Sequence, residues 1–216
     1  MPDSGPVFWL MLVSLTQSVL FYAIEANGKS TVRSLTDWDR STTLNSDLIS
    51  GNSMRKKMGK LEQKLAEMGH TLSKPFIYPS PNRQGCVHVG KILFVSGHGR
   101  DLPPPTKSEG AGKVGVEVTI EEGYETAKQV MLSILASLKA HCDGDLDRVK
   151  RVIRIFGMVN CASDFELQPK VIDGASDLLY ELFGPDYGCH ARSAVGMGSL
   201  PHRIPVEING EFELWE

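Results

Sequence analysis

The stretch HARSAVGMGSLPHRIPVEINGEFEL, His190–Leu214, decides how the chain is read. Ile204, Val206, Ile208, Phe212 and Leu214 alternate with Glu207, Asn209, Glu211 and Glu213. A period of two puts the first set on one face of a strand and the second on the other. Ahead of it, beyond the Pro-bounded turn SLPHRIP, a run of small residues carries a lone arginine, Arg192. The pair reads as a closing two-strand unit. In a tight hairpin centred near Pro201 and His202, Arg192 would lie several residues further along the ladder than Glu207 and need not touch it.

Upstream, DLDRVKRVIRIFGMVNCA (Asp145–Ala162) is dominated by β-branched residues and reads as a third strand. Two helices flank it. Thr119 with Glu122 three places on forms a capping box, after which Ala127, Val130, Met131, Ile134, Leu135 and Leu138 recur at helical spacing. The second helix should begin close to Pro169 and end at Gly184–Pro185, with Ile172, Ala175, Leu178, Leu179, Leu182 and Phe183 as its buried stripe. Further upstream, CVHV and KILFVSG read as a hairpin joined at Gly90. The Pro- and Gly-rich GRDLPPPTKSEGAGKVG (Gly99–Gly115) reads as a surface loop able to act as a flap.

The order is therefore β-β-α-β-α-β-β, a two-layer α+β domain in which two helices cover one face of a single sheet. The polar face of the last strand is either solvated or turned toward another subunit.

The first fifty residues stand apart. Val7–Ile24 is mostly apolar and uncharged, near the lower length limit of a membrane-spanning helix and also suited to a signal-peptide core. Its flanks fit neither reading well, since no Lys or Arg precedes it. A polar run from Asn27 to Ser53 reads as linker, and MRKKMGKLEQKLAEMG (Met54–Gly69) as the start of a soluble domain with Leu61, Leu65 and Met68 at helical spacing. Residues 1–53 are thus expected to be a separable extension, either a targeting segment or a product of a misplaced start codon, and 54–216 the functional domain. Starting near Met54 places the protein in the cytoplasm; retaining residues 7–24 makes it secretory or membrane-anchored.

Composition excludes several function classes. In 216 residues, 41% hydrophobic and 23% charged content fit a folded domain, and a formal charge of −3 supplies no broad basic surface for nucleic acid. The four cysteines, Cys86, Cys142, Cys161 and Cys189, form no C-x-x-C pair and read as free buried thiols. The six histidines include no H-E-x-x-H, so neither metal nor organic cofactor is expected. His190 and His202 receive no role.

FVSGHG (Phe94–Gly99), the strand LDRVKRVIRIFGMVN, the helix entry DFELQPKVIDGASDLLYELFG, and HARSAVGMGSLP with VEI together resemble the Rid family, the reactive intermediate deaminases also called YjgF or L-PSP endoribonuclease-like proteins. The resemblance runs from about Gly69 to Glu213 in unbroken order. It implies a chorismate-mutase-like fold with one mixed sheet, a homotrimer with sites between subunits, and hydrolysis of 2-enamine or 2-imino acids to 2-keto acids and ammonia without a cofactor. Residue by residue, the critical arginine falls on Arg192, the water-orienting acid on Glu207, and the substrate-side hydroxyl and backbone amide on Ser96 and Gly97.

Those types suit the chemistry. A guanidinium fork engages a planar carboxylate with two parallel hydrogen bonds, glycine allows close backbone approach, and a carboxylate can hold and deprotonate water. Singly, each residue has a plainer reading: Arg192 as an ion-pair partner, Glu207 as a solvated side chain, Ser96–Gly97 as a strand-ending turn. Their joint occurrence favours the site.

The chain also departs from well-studied deaminating members. Arg83 stands where they carry an aromatic residue, Ala194 where they carry cysteine, and Gly196 where many carry glutamate. These changes suggest a more basic pocket mouth, a smaller wall and a larger or more acidic ligand, and they match a subgroup with RSAVG. The expected partner is a small carboxylate-bearing metabolite, the leading function an enamine/imine deaminase. A noncatalytic carboxylate-binding trimer comes second and RNA cleavage a distant third.

Overall fold

A computed structural model describes residues 8–13, 19–24, 30–33, 58–78, 81–99 and 112–215. The chain divides into two units, 1–55 and 56–216. In the first, β1 (Phe8–Val13), β2 (Val19–Ile24) and β3 (Ser30–Arg33) form an antiparallel sheet in that order. Within the apolar stretch Val7–Ile24, Phe8–Val13 and Val19–Ile24 are thus paired strands, Phe8 opposite Ile24 and Val13 opposite Val19, and not helix. An apolar run rich in aromatic and β-branched residues suits a strand as well as a helix. Among the described residues no helix is long and apolar enough to cross a membrane. Of the run read as linker, Ser30–Arg33 is strand. The rest of that run, and residues 100–111 of the expected flap, lie outside the described residues.

The second unit opens with α1 (Lys60–Glu67), whose first amides at Lys60 and Leu61 donate to the Asp147 carboxylate at 2.7 and 2.8 Å. That contact satisfies donors a helix N-terminus leaves open. The hairpin of β4 (Cys86–Val89) and β5 (Ile92–His98) turns at Gly90, where φ is +60°. Next comes α2 (Ile120–His141), capped as its sequence predicts: Glu122 N–H donates to Thr119 Oγ1 at 3.1 Å, and Thr119 N–H to the Glu122 carboxylate at 3.0 Å. Then follow β6 (Val149–Asn160), α3 (Gln168–Phe183) with Pro169 in its first turn, the short α4 (Pro185–Gly188), β7 (Ala191–Met197) and β8 (Val206–Leu214).

The five strands form one mixed sheet in the order β4-β5-β8-β6-β7, antiparallel except for β6 with β7. Helices α2 and α3 bury their stripes against one face, where Leu93, Val95, Ile155, Val159, Ile208 and Phe212 join a single core. Phe212 is fully buried at its centre; truncating such a side chain to alanine costs about 3–5 kcal/mol.

One expectation is overturned. β7 and β8 do not pair with each other: β6 lies between them, β7 is an edge strand, and β8 sits in the middle of the sheet. Burial accounts for this. Every second residue of β8 from Val206 to Leu214 is buried under the helices and the residues between are half-buried, as suits a strand paired on both sides, while Ala191, Arg192 and Gly196 of β7 are exposed and suit an edge. Of the four cysteines, Cys86, Cys142 and Cys161 are buried free thiols, but Cys189 is exposed.

Candidate functional site

Between Val95 and His98 the ladder of β5 against β8 slips, because Val95 faces Gly210 whereas His98 faces Ile208. Three steps on β5 match two on β8, so one extra residue is accommodated in β5 at Ser96–Gly97. Such a bulge re-aims side chains beside a strand. Here it lets Val95 and His98 both point into the core while Ser96 and Gly97 stay half-exposed. His98 secures it: its ring Nδ1 lies 2.7 Å from the Ser96 carbonyl and its Nε2 2.8 Å from Ser137 Oγ on α2. A carbonyl can only accept, so the Nδ1 proton is donated to Ser96. Sequence reading missed this histidine, which appeared there only as a letter in FVSGHG.

The bulge forms one wall of an open cleft of about 660 Å³, lined among others by Tyr78, Arg83, Ser96, Gly97, His98 and Glu207. Tyr78 donates its hydroxyl to the Gly97 carbonyl at 3.1 Å, and Ser96 donates its hydroxyl to the Gln84 carbonyl at 2.6 Å. Gly97 lies flat against Glu207, since a Cβ there would collide with the carboxylate and come within 3.3 Å of its Cγ. Glycine is what lets the carboxyl lie over the bulge.

The carboxylates of β8 divide into two kinds. Glu211 takes a two-pronged bond from Arg154, Nε to Oε2 at 2.9 Å and Nη2 to Oε1 at 3.1 Å, and Glu213 accepts from Lys150 at 3.0 Å. Among the described residues no cation meets Glu207. Half-buried and unpaired, its carboxyl is pushed above the ordinary carboxylate range by loss of solvation alone.

Arg192 lies elsewhere. Its strand register, opposite the buried Ile155, places it on the helix-covered face, whereas Glu207, opposite Met158, points from the other face. Its Nη1 donates to Asp173 Oδ1 at 2.6 Å and to Ser176 Oγ at 3.0 Å, both on α3. The Nε and Nη2 donors take no acceptor among the described residues. Within one chain, then, the structure brings Ser96, Gly97 and Glu207 together and leaves Arg192 apart. Within one chain Ala194 and Gly196 share the face of Arg192 and do not line the cleft. Glycine at 196 has a local reason, because a Cβ there would sit 2.9 Å from both Cys161 Sγ and Gln168 Nε2. Arg83 does line the cleft. Among the described residues no group of His, Cys, Asp and Glu could hold a metal ion.

Residues 81–203, more than half of the chain and including the Ser96–Gly97 bulge, match the family described as "YjgF/chorismate_mutase-like, putative endoribonuclease". The chain belongs to the YjgF family. Protein TCP17 of Trypanosoma cruzi is 37% identical to this YjgF-family chain over 139 residues, 63% of this chain and 83% of that protein. Two solved structures agree in fold. A protein of unknown function from Agrobacterium tumefaciens superposes with a TM-score of 0.64 at 35% identity, covering 72% of this chain and 92% of that one. A "putative endoribonuclease" from Shewanella oneidensis superposes at 0.65 with 30% identity, covering 71% and 99%. The two-layer α+β sheet of the second unit is thus the chorismate-mutase-like fold of the YjgF family.

Proposed function

We propose that this YjgF-family protein hydrolyses reactive 2-enamine or 2-imino acids to 2-keto acids and ammonia. The observation that carries the reading is Glu207, a desolvated carboxyl with no cation partner among the described residues, lying over the Ser96–Gly97 bulge inside a cleft. A raised pKa suits a group that must both take and return a proton near neutrality. Glu207 holds a water molecule, accepts one of its protons as the oxygen bonds to the carbon of the protonated imine, and returns that proton to nitrogen. It then takes the proton left on the new hydroxyl as the carbon–nitrogen bond breaks and the carbonyl forms, and passes it to the departing ammonia. One water is consumed, and one keto acid and one ammonia leave. Ser96 and the Gly97 backbone lie beside the substrate.

The substrate's 2-carboxylate falls to Arg192 of a neighbouring copy in a homotrimer whose sites lie between subunits. Two features support this assignment: the edge position of β7, and the Nε and Nη2 donors of Arg192, which have no acceptor among the described residues and together form the fork that a carboxylate needs. The same fork and cleft would serve, as a second reading, a trimer that binds carboxylates without turning them over. The name of the Shewanella protein brings in RNA cleavage as a third, against which the net charge of −3 speaks.

Ammonia release from freshly generated 2-imino acids is the test. Glu207→Gln should lower the rate about 100-fold or more, the scale of a lost general acid–base group. Binding of 2-keto acids with no release above background would leave the second reading, and cleavage of RNA by a nuclease-free preparation the third.

A further inference from the structure

Of the arginines with described side chains, Arg148, Arg151, Arg154, Arg192 and Arg203 each lie within ion-pair distance of an aspartate or glutamate. Arg83 is the exception among the described residues: it has no carboxylate there and lies instead over the ring of Tyr78, 5.4 Å from guanidinium carbon to centroid. That contact is made through a ring face and consumes none of the five N–H donors of the guanidinium. It is also anchored, since the Tyr78 hydroxyl is bonded to the Gly97 carbonyl on the bulge. A cation without a carboxylate and a carboxyl without a cation therefore line the same cleft. No ion pair joins the two among the described residues. The charge of Arg83 is left for a ligand.

The cleft is also roomy. About 660 Å³ lies in the range of sites that bury drug-sized ligands, well beyond what a three-carbon imino acid fills. Arg83 stands at one border of this space, where it also lines an adjoining recess beside Gln84 and His141.

We propose that Arg83 is the specificity-determining residue of the cleft and that it engages a second carboxylate, on the substrate's side chain, making 2-imino dicarboxylates the preferred substrate class. This rests on the hydrolytic reading above, in which Glu207 serves the water and Arg192 the 2-carboxylate.

The probes are 2-oxoglutarate and 2-oxopentanoate, five-carbon product analogues that differ only in the terminal carboxylate, titrated calorimetrically into the full chain. They are paired with ammonia release from the imines of glutamate and norvaline. The parent should bind the dicarboxylate about tenfold more tightly, the scale of one charge-assisted hydrogen-bond pair. Arg83→Gln should abolish that preference while leaving the monocarboxylate within about twofold, and turnover should show the difference as a higher KM for the glutamate imine. Arg83→Lys, which keeps charge without the fork, should fall between them and serves if the glutamine variant does not fold. No preference in the parent, or one that survives in Arg83→Gln, overturns the assignment. An Arg83-dependent binding preference with no hydrolysis of either imine overturns the reaction and keeps the residue's role. Hydrolysis of both imines equally by parent and variant does the reverse.

Discussion

Gly97 and Glu207 meet so closely across the β5–β8 bulge that any side chain at position 97 would occupy the space of the carboxylate. Gly97→Ala therefore has to move either the bulge or Glu207. Ammonia release should fall about 10- to 100-fold, as expected when a proton-transferring group is displaced by about an ångström, while circular dichroism stays that of the parent. An alanine variant with parental turnover would separate Glu207 from the chemistry.

The displaced titration of Glu207 has a consequence for stability. The unfolded chain releases this proton near the ordinary 4.5, whereas the folded chain holds it to higher pH. The folded state therefore binds more protons between the two values, and the stability linked to the protonated form is complete below 4.5 and lost as pH rises through the folded pKa. Relative to Glu207→Gln, the parent should lose ground in urea midpoint between pH 4 and pH 8. Turnover should rise with pH along a limb lying above 4.5, since the deprotonated form receives the proton from water. A constant gap between the two proteins across that window would remove the linkage.

Arg192 separates the two ways of reading its ion pair. With both partners partly exposed, its bond to Asp173 contributes about 0–1 kcal/mol, so Arg192→Lys should barely alter the melting temperature. Turnover should nevertheless drop steeply, because a point charge replaces a planar fork. Sedimentation should show a trimer, and activity should fall on dilution below its dissociation range. Parental activity in Arg192→Lys would confine this arginine to its partner on α3.

Thr119→Ala removes the hydroxyl that receives the Glu122 amide at the start of α2. Loss of such a cap costs about 1 kcal/mol. In a chain of this size that corresponds to roughly 2–4 °C in melting temperature. Turnover should be unchanged, since Thr119 does not line the cleft.

Much of this was legible residue by residue. The capping box at Thr119, the strand at Val149–Asn160, the helix opened by Pro169, and the two faces of Val206–Leu214 all follow from local chemistry and spacing. Glu207, Ser96 and Gly97 were marked by family motifs, and they do share a cleft. What could not be read is that β6 intervenes between β7 and β8, which puts Arg192 and Glu207 on opposite faces. Nor could the bulge be read, since one extra residue in β5 leaves no mark on its alternation until the partner strand is known. Arg83 was visible as a departure, but its lack of a carboxylate partner was not.

Side-chain alternation and capping are properties of consecutive residues, so the sequence by itself determined which segments are helix or strand and which side of each is apolar. Strand order is a property of the whole core: β8 takes the centre with β5 and β6 paired along its two edges and α2 over its apolar face, and β7 is left at the edge. Tertiary structure alone therefore decided which charges meet. It gave Arg154 to Glu211, Lys150 to Glu213 and Asp173 to Arg192, and left Arg83 and Glu207 around one cleft with no ion-pair partner among the described residues.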